Sequence, residues 1–89
     1  MLYVAMLHIV DEEKNQKFRP AHLEYINELY KQGKVVMAGP FTDKKGGMAI
    51  YKADSYEEAY KMAAADPVIV EGARTLEVRE WSPLDFPLD

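Results

Sequence analysis

The chain has 89 residues, is 48% hydrophobic, carries a formal net charge of −4 and contains no cysteine. That length holds a single domain over residues 1–89 with a modest core, and the missing thiols exclude disulfides and thiolate metal sites and fit a reducing cytoplasm. Acids and bases are mixed without a basic stripe, no apolar run approaches a membrane span, and Met1-Leu2-Tyr3-Val4 lacks signal-peptide character, which argues against nucleic acid, membrane and secretion.

Leu2 to Val10 reads as a strand apolar on both faces, with Leu2, Val4 and Met6 alternating with Tyr3, Ala5 and Leu7. A one-sided sheet would alternate apolar with polar, so both faces of this strand require cover. Asp11 to Lys17 reads as a polar connection. A helix is predicted to open at Pro20, which is favoured at a first helical position, and to stop at Gly33. Its inward stripe is His22, Ile26, Leu29 and Gly33, with Leu23 and Tyr30 alongside.

Val35 to Ala38 is a short strand ending at Gly39-Pro40. Thr42 to Gly47 is a turn, and Met48 to Ala53 completes a hairpin. Ser55 and Glu58 form a capping box for a second helix, whose inward stripe is Tyr56, Ala59, Ala63 and Asp66 with Met62 beside it. Pro67 ends that helix, and Val68 to Glu71 makes one loose turn before Gly72. Thr75 to Trp81 is the last strand. The tail, residues 82–89, carries two prolines and apolar Leu84, Phe86 and Leu88, which suggest docking, a partner subunit being one surface for it.

The order βαββαβ predicts an α+β fold of ferredoxin-like type, an antiparallel four-stranded sheet with two helices on one face. The hairpin turns the second helix against the first. The first turn of helix one (Arg19, His22) and the last turn of helix two (Asp66) then share one end of the sheet with His8 and Gly39-Pro40. A carboxylate on an inward stripe at a helix C-terminus opposes the macrodipole, so either a cation answers it or its pKa rises. His22 is the nearest candidate.

The chemical reading is a His22–Asp66 dyad: the carboxylate fixes the imidazole tautomer and the imidazole moves a proton. Arg19 shares that helix face and would hold an anion. The plain alternative is a structural hydrogen bond closing the core. His8 reads as either a rim residue or a ligand contact, and His8, His22 and Asp66 together lack the tight spacing of a metal motif, so no metal is assigned.

Arg19-Pro20-Ala21-His22-Leu23, Ala38-Gly39-Pro40, Asp66-Pro67 with Gly72, and a final strand closing at Trp81 resemble the YciI-like (YCII-related) proteins over nearly the whole chain. The resemblance implies a ferredoxin-like fold and a dimeric α/β barrel made by two sheets packing face to face. It implies an active site centred on His22 and Asp66, preceded by the basic Arg19 and shaped by the Gly39-Pro40 and Asp66-Pro67 turns. It also implies kinship with muconolactone isomerases and with dehydrochlorinases of chlorinated aromatics.

Three readings follow. The first is a cytoplasmic, cofactor-independent lyase or isomerase acting on a small anionic cyclic or aromatic metabolite, built as a homodimer. The second is a non-catalytic ligand-binding or accessory domain using the same cleft. The third is a haem-binding or oxygen-using protein of the wider barrel architecture.

Overall fold

The computed structural model describes residues 1–88, so of the tail only Asp89 lies outside the described residues. Seven elements follow in order: β1 (Leu2–Ile9), α1 (Glu12–Lys31), β2 (Val35–Pro40), β3 (Gly46–Lys52), α2 (Tyr56–Ala64), α3 (Pro67–Val70) and β4 (Arg74–Trp81). The strands form one antiparallel sheet in the order β2-β3-β1-β4, the ferredoxin-like arrangement the sequence predicts. None of the described helices is long and apolar enough to cross a membrane.

The first helix departs from its expected boundary. It spans 20 residues and opens at Asp11, whose side chain accepts a hydrogen bond from the Lys14 amide at 3.0 Å. Glu12 and Glu13 in the first turn favour the positive end of the helix dipole. Pro20 therefore lies inside the helix, where its lost N–H leaves the Gln16 carbonyl without its intrahelical partner. Both residues are exposed, so water can replace that bond. What holds the extra turns is side-chain packing. Asn15, Phe18, His22, Tyr25 and Leu29 recur at alternating spacings of three and four, and all are buried or half-buried. Leu23 and Tyr30, expected beside this stripe, are instead exposed.

Alternation along β1 divides the sheet into two faces. Tyr3, Ala5 and Leu7 are buried with Ala49 and Tyr51 of β3, Ala59 and Ala63 of α2, and Val68 of α3. Each Leu or Val sealed in this layer contributes roughly 1.5–3 kcal/mol. Ser55 caps α2, accepting from the Glu58 amide at 3.1 Å. Tyr56 lies outside the core, exposed and stacked on Tyr60 with ring centroids 6.1 Å apart.

The opposite sheet face carries Leu2, Val4 and Met6 of β1 beside Met48 and Ile50 of β3 and Met37 of β2. Ile50 is buried yet stays outside the main cluster, while Met37 is 61% exposed. Glu77 and Arg79 flank this apolar band on β4. Leu84, Phe86 and Leu88 of the tail are all exposed.

Candidate functional site

Two local devices bring the functional side chains together. The long α1 places His22 at mid-helix over the sheet, rather than in the first turn. The chain then leaves α2 through Ala65, and Asp66 takes an extended conformation as the N-cap of α3, with Pro67 at its first position. Asp66 Oδ1 accepts from the Val68 amide at 3.2 Å. The expected conflict with the macrodipole of α2 is thereby resolved, because the carboxylate faces the amide end of the next helix. Asp66 is fully buried.

The other oxygen, Asp66 Oδ2, lies 2.7 Å from His22 Nδ1. A carboxylate accepts, so Nδ1 carries the proton of this bond and the lone pair is left on Nε2. The His22 side chain is 12% exposed, enough to reach solvent through one edge. Two phenols underlie the pair. Tyr25 donates to the Met62 carbonyl at 2.7 Å, tying α1 to α2. The Tyr51 hydroxyl is buried and has no partner among the described residues. Burial first, then the Asp66 carboxylate, pushes both phenols above the ordinary tyrosine value, with Tyr25 adding to the effect on Tyr51.

His22 lines a narrow cleft with about 30 Å³ of solvent-sized space. Arg19, Gly39 and Pro40 line it with His22, as the sequence predicts. The wall is tight because β2 and β3 approach closely: a β-carbon at Gly47 would meet the Gly39 carbonyl oxygen at 2.8 Å and Pro40 Cα at 3.3 Å. At Gly39 itself a β-carbon would meet nothing within 4 Å.

His8 is not brought to this cleft. It follows Leu7, which points to the helices, so alternation sends His8 to the opposite face, where it is exposed. His8, His22 and Asp66 therefore do not converge.

Arg74 of the cleft and its partner Asn15 were not anticipated. Arg74, 7% exposed, lines the cleft from the start of β4, and its Nε donates to Asn15 Oδ1 at 2.7 Å. The available signal was the spacing of Asn15 and Phe18 ahead of His22, which extends the buried stripe back toward Asp11.

Residues 1–82 match the YCII-related domain, and the chain belongs to that family. It is 37% identical over 76 residues to the uncharacterized protein YjpA of Bacillus subtilis (strain 168), which covers 85% of this chain and 89% of YjpA. Among solved structures it is similar to 5-chloro-2-hydroxyhydroquinone dehydrochlorinase (TftG) from Burkholderia phenoliruptrix AC1100, in complex with 2,5-dihydroxybenzoquinone. That match has a TM-score of 0.78 at 22% identity and covers 92% of this chain and 94% of the other. A candidate antibiotic biosynthesis monooxygenase from Bacteroides thetaiotaomicron VPI-5482 is also similar, with a TM-score of 0.64 at 21% identity over 100% of this chain and 93% of the other. At these identities the structural likeness establishes the shared fold.

Proposed function

We propose that this YCII-related chain is a cytoplasmic, cofactor-independent enzyme of lyase or isomerase type, acting as a homodimer on a small anionic cyclic or aromatic metabolite. The observation that carries the reading is the 2.7 Å contact between His22 Nδ1 and buried Asp66, at the wall of a cleft. It leaves Nε2 as the basic atom. Nε2 accepts a proton from a substrate C–H, and the electron pair of the broken bond forms a new C=C; this either expels a leaving group or displaces an existing C=C pair onto the next carbon, which takes the proton back from the imidazolium. Asp66 orients the ring and stabilises the imidazolium that forms. Arg19 attracts the substrate's anionic group, and Gly39-Pro40 shapes the wall against which the substrate lies.

The likeness to a dehydrochlorinase solved with a hydroxylated benzoquinone makes oxygenated rings the first compounds to try. The homodimer draws support from the apolar band on the open sheet face and from the exposed tail residues Leu84 and Phe86, which would dock on the partner.

The test is a product screen with small chlorinated and hydroxylated aromatic acids and lactones, run on wild type and on folded His22→Ala. Turnover that falls at least about a hundredfold in His22→Ala supports the reading. Binding without product rejects it and leaves a ligand-binding domain, whereas turnover unchanged by the substitution rejects His22 as the base.

A further inference from the structure

Beyond the His22 cleft, α1, β2 and the start of β4 line a second, more open recess of about 460 Å³. Arg19, Pro40 and Arg74 line both spaces, so the two are adjacent lobes that meet at the arginines. Lys44 and Glu12 lie on the outer lobe.

Arg74 is the unusual member. A buried guanidinium ordinarily meets a carboxylate, because an unpaired buried charge is costly. Here its hydrogen-bond partner among the described residues is Asn15, a neutral amide that is itself 5% exposed. No carboxylate lies within ion-pair distance of Arg74 or Arg19 among the described residues. Asp66, the nearest buried acid by its influence on Arg74, is already engaged by His22 and the Val68 amide. Asn15 thus fixes the guanidinium through Nε without neutralising it. Both terminal nitrogens are left to serve the cleft, the fork suited to a planar carboxylate. Burial lowers the tendency of Arg74 to hold its proton; Asp66 counteracts this, neighbouring Arg19 adds to it and Glu12 opposes it.

We propose that Arg74, oriented by Asn15 and assisted by Arg19, is the carboxylate anchor of the cleft, so that the ligand is a small organic carboxylate. The carboxylate sits at the junction of the lobes, and its carbon frame extends beneath His22. This deepens the proposed function by assigning the substrate class, and it rests on that reading only for what happens at His22. It also separates two cationic roles: Arg19 is exposed and attracts the anion, whereas Arg74 is buried, pre-oriented and selective for a planar one.

The test is calorimetric titration of the intact protein with benzoate and with its neutral isostere benzamide. Wild type is expected to bind benzoate at least about tenfold more tightly than benzamide. Arg74→Gln should lose about tenfold or more in benzoate affinity, with Arg74→Lys intermediate because it keeps charge but not the fork. Asn15→Asp covers the case in which Arg74→Gln does not fold: it keeps the guanidinium but pairs it, and should weaken benzoate about tenfold or more while leaving benzamide unchanged. Equal affinities for benzoate and benzamide in wild type, no benzoate binding, or wild-type benzoate affinity in Asn15→Asp or folded Arg74→Gln would each overturn the anchor. The anchor stands or falls on these affinities alone, whereas the catalytic reading stands or falls on the turnover of His22→Ala, so either can fail without the other.

Discussion

Asp66 divides its carboxylate between two tasks: Oδ2 lies 2.7 Å from His22 Nδ1, and Oδ1 caps α3 through the Val68 amide at 3.2 Å. The acid that orients the imidazole is thus held by the backbone of the turn that delivers it. Asp66→Asn separates the tasks. The amide oxygen can still cap α3, but its NH₂ would face Nδ1 and force the ring proton onto Nε2. The expected outcome is a protein within about 2 kcal/mol of wild-type stability that turns over substrate at least about a hundredfold more slowly. Thermal unfolding and single-turnover assays of the same preparation check both halves. Asp66→Ala should lose the cap as well, adding about 1 kcal/mol of destabilisation.

The two glycines of the β2–β3 wall should respond oppositely to alanine. At Gly47 the new methyl would press on the Gly39 carbonyl, so Gly47→Ala should cost about 1–3 kcal/mol and widen the wall beside His22. Gly39→Ala meets no atom of its own protomer and should change stability by less than about 0.5 kcal/mol. Urea unfolding midpoints compare them directly; a large cost at Gly39 would show that another surface packs there.

Alkaline pH should weaken the fold through Tyr51. Its phenol is raised above the ordinary value of 10.0 by burial, then by Asp66 and Tyr25. The folded state therefore binds the phenolic proton more tightly than the unfolded state does. That contribution is fully present below pH 10.0 and is lost as pH rises toward the folded value. Stability measured by denaturation is expected to fall above about pH 10, and less steeply in Tyr51→Phe. At neutral pH, Tyr51→Phe should be neutral or stabilising by up to about 1 kcal/mol, since it removes a buried hydroxyl without a partner.

Much of this arrangement was legible in the chain. The order of elements and the reversal at the hairpin place the two halves of the dyad together, although His22 and Asp66 lie 44 residues apart. The start of α1 was not, because Pro20 imitates a first helical residue while Asp11 and the acidic pair after it can also read as a loop. Packing of Asn15 and Phe18 outweighed the hydrogen bond lost at Pro20. Arg74 was hidden for a related reason: it sits one residue before the obvious alternation of β4, and its partner Asn15 lay in the presumed loop. His8 was misplaced because a strand's end says which edge a residue occupies, while its alternation decides the face.

The open sheet face bears on assembly. Light scattering at micromolar concentration is expected to give twice the 10.2 kDa chain mass. Val4→Glu, which places a charge in the middle of the apolar band, should shift the protein to monomer, while Glu77→Gln at its border should not. A monomer in the wild type, or a dimer indifferent to Val4→Glu, would contradict the face-to-face assembly.

Proton removal by His22 Nε2 is tested most directly with a turned-over substrate deuterated at the reacting carbon, following loss of that deuterium by mass spectrometry. Wild type is expected to remove it, and folded His22→Gln to do so at least about a hundredfold more slowly. Deuterium lost at the wild-type rate in His22→Gln would contradict the account.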